Sequence, residues 1–326
     1  MSESKIAVAN THVLLDPPFA RSEALKHFAP WLDVGREIVQ FGADLLLRAF
    51  KTSERKVVDL VILGTLFRQL LIEADACLLC LENGAVQAAM LHARAEFEAS
   101  LALEWTLTNG KDRWATQYYV SSLRQNRSWV RRSIPGTQEA TMYAAAWSTM
   151  GASSPPSIRD PADAAQQVAE VDNLLALPAY KSVNDDFDNA GWVGKGAKKR
   201  FIEPNWYQPG TGGVRSIAEM ARVLKHEAEY MTLYRYGSYF IHGSLADNHF
   251  KVKEGVVSIE PIRYLKQFAL AFNPTLRHAA DGIVLVTSHY RPGELGDIRA
   301  RYADRWATPL LQFASVEVNT EWVSIS

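Results

Sequence analysis

The sequence predicts a mainly α protein: an antiparallel helical bundle with a long Gly/Pro-rich loop and one small β-hairpin. Three observations carry this expectation. Apolar residues recur at helical spacing over most of the first 134 positions, the helical runs stop at Asn83-Gly84 and Asn109-Gly110, and only residues 250–259 alternate in the manner of a strand pair.

Residues 1–20 read as an irregular lead-in ending in Asp16-Pro17-Pro18. From Ser22 to Phe50, Leu25, Phe28, Leu32, Ile38, Val39, Leu45 and Leu46 fall at helical spacing, with Pro30 a first-turn or kink residue. Ser53 and Glu54 open a second helix to Leu81, and a third runs from Ala85 to Leu107. Asn and Gly tolerate the left-handed conformation that ends a helix, so each stop returns the chain antiparallel.

A fourth helix, Asp112 to Ile134, carries an unusual charge distribution. Lys111, Arg113, Arg124, Arg127, Arg131 and Arg132 stand against Asp112 alone, a concentrated basic face in a chain of net charge −1. Such a face suits a phosphate backbone, or it pairs with acidic neighbours as a solvated helix surface. Thr137 to Leu177 reads as helical with a break at 151–156, and 178–215 reads mostly as loop because glycines and prolines exclude a long regular element. That loop alternates Lys195, Lys198, Lys199 and Arg200 with Trp192, Phe201, Trp206 and Tyr207, a pattern fitting nucleic acid or a protein partner. A helix from Ser216 to Ser244, the hairpin as the sole sheet, a helix from Pro261 to His289, a last helix from Leu295 to Phe313 and an irregular tail complete the reading. The expected organisation is 1–150 as one bundle half, 151–215 as linker helix and loop, and 216–326 completing the bundle in one domain.

With 326 residues and 48% hydrophobic content the chain can bury a substantial core. Balanced charge, 35 basic against 36 acidic residues, gives no global field toward nucleic acid or an anionic membrane. No stretch reaches the roughly 20 apolar residues a bilayer span requires, and the N-terminus lacks a secretory pattern. A cytoplasmic protein without membrane attachment is expected. Cys77 and Cys80 lie in an apolar helical run without a second pair, so they read as small core residues.

The residues carrying chemistry concentrate in Tyr234-Arg235-Tyr236-Gly237-Ser238-Tyr239-Phe240-Ile241-His242-Gly243. At about 100° per residue, Arg235, Ser238 and His242 share one stripe of a helix. On the third helix, Arg94 and Glu98 are four residues apart on a mainly apolar stripe with Leu91, Leu101 and Trp105, where charges need partners. Glu98 is expected to accept from His242 or Ser238 across the bundle. No Glu-xx-His pair, no second His after His226-Glu227, no Walker loop and no nucleophile elbow appear. No metal or cofactor is expected.

Arg94/Glu98 followed by Tyr234/Ser238/His242/Gly243 resembles a bacterial all-helical family of unknown function, over roughly residues 50–250. More weakly, Arg235 and His242, with six residues between them, resemble the HEPN superfamily of bacterial defence and toxin systems, although Tyr236 stands where many members carry a polar residue. That resemblance implies an RNA-directed protein and metal-independent RNA cleavage, often across a homo-oligomer. His242 would then be the acid/base, Arg235 the phosphate clamp and Ser238 a positioning group, with Arg94 and Glu98 completing the site. Arg124, Arg127, Arg131, Lys198, Lys199 and Arg200 would meet the nucleic acid. The competing expectation is a non-catalytic scaffold or sensor that recognises a protein partner through the 178–215 loop.

Overall fold

The computed structural model describes residues 4–8, 14–151, 154–194, 200–235, 237–238, 250–253, 255–313, 316–320 and 323–325. The fold is mainly α, as expected. The chain separates into two compact units, Met1–Asn109 with Ile217–Ser326 and Gly110–Ser216. The division falls at 109/110 and 216/217.

In the first unit, β1 (Ser4–Val8) precedes α1 (Pro17–Thr52), which starts earlier than the apolar pattern suggested. Asp16 caps it by accepting from the Phe19 amide at 3.0 Å, and Pro17 and Pro18 occupy first-turn positions where no amide donor is missed. Pro30 lies inside the helix. Gly35 and Gly42, two turns apart, let α1 close on its neighbours. A Cβ at Gly35 would stand 2.7 Å from Leu78 Cδ2, and one at Gly42 would stand 2.5 Å from Leu71 Cδ2.

The expected second helix is three segments. Val57–Asp59 (α2) leads into a wider π-wound stretch, Leu60–Phe67, and then into α3 (Arg68–Glu82). Gly84, at φ +67°, turns the chain into α4 (Val86–Thr108). Cys77 is buried in α3, where burial raises its thiol pKa, and both cysteines are free.

In the second unit, α5 (Lys111–Arg131), α6 (Gln138–Ser148), α7 (Pro161–Ala176) and α8 (Pro178–Ala190) precede a short antiparallel pair, β2 (Trp192–Val193) with β3 (Arg200–Phe201). Val120, Val171, Leu175 and Phe187 form the core. Helix α8 thus occupies the first third of the expected 178–215 loop. Pro178 is a first-turn residue rather than a breaker, and Phe187 supplies the apolar anchor.

Back in the first unit, the expected continuous helix from Ser216 is interrupted. After α9 (Ile217–Val223), Lys225 takes a left-handed φ of 66°; its amide donates to Arg222 O and the His226 amide donates to Ala221 O. This is a Schellman stop with lysine where glycine is usual. Then α10 (Glu227–Glu229) runs into a π-wound turn, Tyr230–Tyr234.

The hairpin is present as β4 (Phe250–Lys253) and β5 (Val256–Ile259), but it is not the sole sheet. The tail expected to be irregular supplies β6 (Val316–Thr320), parallel to β1, and β7 (Val323–Ile325), antiparallel to β5. Between hairpin and tail lies α11 (Phe268–Tyr290), which begins seven residues after Pro261 and packs on α1, α3 and α4 to complete the core. Leu295–Arg301 (α12) and Thr308–Phe313 (α13) follow, separated by a π-wound turn. No described helix is long and apolar enough to cross a membrane.

Candidate functional site

The first cluster lies where the 230–238 segment crosses α4. The Arg94 guanidinium lies 4.3 Å from the centroid of the Tyr234 ring, and its Nη2 stands 3.8 Å from Glu98 Oε1. Tyr234 stacks on Tyr230 at 5.0 Å and contacts Phe97. A Cβ at Gly237 would stand 3.5 Å from Arg94 Cβ and 3.6 Å from Met90 O, ordinary contact distances that do not require a glycine there. Among the described residues, Arg94 Nε is buried without a hydrogen-bond acceptor. Burial raises the Glu98 carboxyl pKa, against the opposing pull of Arg94 and of the Tyr234 hydroxyl.

Two of the expected partners are placed differently. Ser238 Oγ donates to Tyr234 O at 2.9 Å, so its hydroxyl is used within its own helix rather than on Glu98. Arg235 is exposed, with Nη1 3.5 Å from Met231 Sδ. His242, Lys198 and Lys199 lie outside the described residues, and Arg200 is exposed in β3.

In the second unit, the expected basic face is largely paired. The Arg124 side chain is only 3% exposed; Nη1 lies 2.6 Å from Asn184 Oδ1 and 2.8 Å from Asp188 Oδ1, and Nη2 donates to Glu203 Oε2 at 3.1 Å. Arg127 meets Asp172 at 2.7 Å and Arg131 meets Glu139 at 3.3 Å. A helical wheel shows that these arginines share a face; only the fold brings acids to it.

A second cluster in the first unit was not anticipated. Its centre is His226, whose Nε2 donates to Glu104 Oε2 at 2.8 Å and whose Nδ1 donates to Glu229 Oε2. Glu229 Oε1 also receives Arg277 Nη1 at 2.9 Å, and Glu229 Oε2 stands 3.9 Å from His278 Nε2. His278 Nδ1 in turn lies 3.2 Å from Glu96 Oε2. Carboxylates and imidazoles thus alternate from the fully buried Glu96 to the partly exposed Glu104.

Carboxylates on both ring nitrogens make His226 an imidazolium: the hydrogen bonds to Glu104 and then Glu229 raise its pKa to about 10. Burial alone would lower His278, but the charge of Glu96 and the proximity of Glu229 carry it up to about 9. Burial raises Glu96 to about 7 despite His278. The hydrogen bond from His226, with the charges of His278 and Arg277 adding, holds Glu229 well below the usual carboxylate range. Among the described residues, no set of three or more His, Cys, Asp or Glu is arranged around a common metal position.

Residues 59–256 match a family of unknown function, DUF5677, over more than half of the chain. The chain belongs to DUF5677. No curated protein and no solved structure matches it. The DUF5677 stretch contains Arg94, Glu98 and Tyr234 together, so the first cluster lies wholly within the family region. It also contains Glu96, Glu104, His226 and Glu229, whereas Arg277 and His278 come from α11 beyond it.

The second cluster is masked in the sequence, where His226-Glu227-Ala228-Glu229 reads as a zinc motif lacking its second His. The available signals were a His and a Glu three residues apart and a Glu96 flanked by apolar positions. A carboxylate there demands a partner, but the chain does not say that it is His278.

Proposed function

We propose that this DUF5677 protein is a HEPN-like, RNA-directed protein, a metal-independent ribonuclease effector of bacterial defence acting in the cytoplasm as a homo-oligomer. The observation that carries the reading is the meeting of two motifs 140 positions apart, with the Arg94 guanidinium 4.3 Å over the Tyr234 ring. That contact anchors the segment bearing Arg235 and Ser238, and leading to His242, onto α4. Arg235 is exposed and has no carboxylate partner among the described residues, which suits a phosphate clamp.

In the proposed reaction the RNA 2′-oxygen attacks the adjacent phosphorus and gives its proton to a base. The bond to the 5′-oxygen breaks as that oxygen gains a proton, leaving a cyclic 2′,3′-phosphate and a 5′-hydroxyl. His242 moves the proton and Arg235 offsets charge on the phosphorane. The test is incubation of the full chain with mixed RNA in EDTA, beside His242→Ala and Arg235→Ala of unchanged thermal midpoint. Cyclic-phosphate ends produced by the parent and lost in both variants support the reading; intact RNA in all three overturns it.

One observation favours a non-catalytic scaffold or sensor instead. Arg124, Arg127 and Arg131 are each paired with acids, which removes much of the basic surface on which RNA would dock. Under that reading, neutralising Arg127 and Arg131 leaves the salt dependence of RNA binding unchanged.

A further inference from the structure

Helix α6 in the second unit buries none of its residues, yet it carries the large rings of Tyr143 and Trp147. Aromatic side chains ordinarily supply core or interface area, and these two have no core to fill. They continue a row that starts in the last turn of α5. Trp129 is 51% exposed and has the Arg132 guanidinium 4.3 Å from its ring centroid; the same guanidinium lies 5.9 Å from the Tyr143 ring, and Tyr143 meets Trp147 edge-on at 6.3 Å.

Arg132 is the exception on the basic face. Arg124, Arg127 and Arg131 each reach an acid, whereas Arg132 makes no ion pair among the described residues. Between positions 129 and 150 the charged side chains are Arg131, Arg132 and Glu139; Arg131 and Glu139 offset each other, so the row carries the charge of Arg132. Its contacts are with ring faces, and no described acceptor takes its side-chain N–H groups, so its planar fork is available to a phosphate. A ring receives a base by stacking whatever the base is, and an adjacent guanidinium meets the backbone between bases. A purely apolar protein face would leave the fork unmet, and a duplex keeps its bases stacked on one another.

We propose that Trp129, Arg132, Tyr143 and Trp147 form a docking track for single-stranded RNA, with bases stacked on the rings and a phosphate on Arg132. The choice of RNA rests on the RNA-directed reading above; the track involves neither Arg235 nor His242.

The test is fluorescence anisotropy of the full chain with a labelled 2′-O-methyl RNA of about 12 nucleotides, within the site sizes of single-strand binders. Its blocked 2′-oxygens prevent cleavage, so binding is read alone. The single strand binds more tightly than a duplex of the same sequence. Trp129→Ala and Trp147→Ala each weaken it roughly tenfold, and Arg132→Gln lowers the slope of log affinity against log salt by about 0.7, the share of one phosphate contact. Because α6 buries nothing, the thermal midpoints hold; should either tryptophan variant fail to fold, Arg132→Gln decides. No binding by the parent, equal binding of the duplex, or parent-like affinity and slope in the folded variants, as a patch serving a protein partner would give, overturns the proposal. Uncleaved natural RNA with this binding intact overturns the nuclease reading alone. Cleavage of dilute natural RNA at an unchanged rate in Trp129→Ala and Trp147→Ala overturns the track alone.

Discussion

His278 and Glu96 form an ion pair across 3.2 Å with both side chains withdrawn from water, joining α11 to α4 inside the helical core. His278 titrates at about 9 and Glu96 at about 7, and His226 nearer the surface titrates at about 10.

Folding stability is expected to fall as pH rises through neutrality. The unfolded histidines titrate at roughly 6.5 and the glutamate at roughly 4.3, so between those values and the higher folded ones the native state holds more protons. The histidine contributions are complete below pH 6.5 and lost through about 9 and 10; that of Glu96 fades between its unfolded value and about 7. Glu229 is shifted the other way, so its contribution disappears in acid. Urea midpoints across pH 4 to 10 should peak on the mildly acidic side and decline above it. In His278→Gln the alkaline decline should be visibly shallower; an unchanged slope would contradict the assignment.

The Arg94 and Tyr234 contact separates into two parts. Tyr234→Phe keeps the ring and removes only the hydroxyl, for about 0.5–1.5 kcal/mol. Tyr234→Leu also removes the aromatic face and should cost about 1 kcal/mol more. Chemical denaturation of both variants checks the order, and equal losses would show that the guanidinium gains nothing from the ring.

Lys225 stands in left-handed backbone at the end of α9. Lys225→Gly relieves about 1–2 kcal/mol of steric cost, while the freer unfolded chain takes back about 0.5–1 kcal/mol. A net gain of about 0–1.5 kcal/mol is expected, read as a higher thermal midpoint.

Two helical glycines should respond oppositely to alanine. At Gly42 the new methyl meets Leu71 Cδ2 at 2.5 Å inside the core, and overpacking of about 1–3 kcal/mol exceeds the helix-propensity gain of about 1 kcal/mol. At Gly296, exposed in α12, nothing lies within 4 Å and the propensity gain stands alone. Gly42→Ala should unfold at lower urea than the parent and Gly296→Ala at slightly higher.

Local chemistry alone determined the mainly α class, the stops at Gly84 and Gly110, and the hairpin around Gly255. Each depends on residues adjacent in the chain: apolar spacing, a glycine at positive φ, an alternating strand pair. That Arg94 and Glu98 need partners was legible, because charges on an apolar helix face require company, but the partners expected for Glu98 were His242 and Ser238, and the Tyr234 ring over Arg94 was not foreseen. What the tertiary structure decided is separated in sequence. Val316–Thr320 alternates like a strand but pairs with Ser4–Val8 from the other end of the chain. Lys225 breaks a helix where its neighbours read as continuing one. Glu96 meets His278 at a separation of 182 residues, and Arg124 is neutralised by Asp188 and Glu203 brought in by later segments. Periodicity shows which face of a helix is buried, but the identity of the opposing side chain depends on how distant elements pack, and that packing alone sets the charge and proton affinity of both candidate clusters.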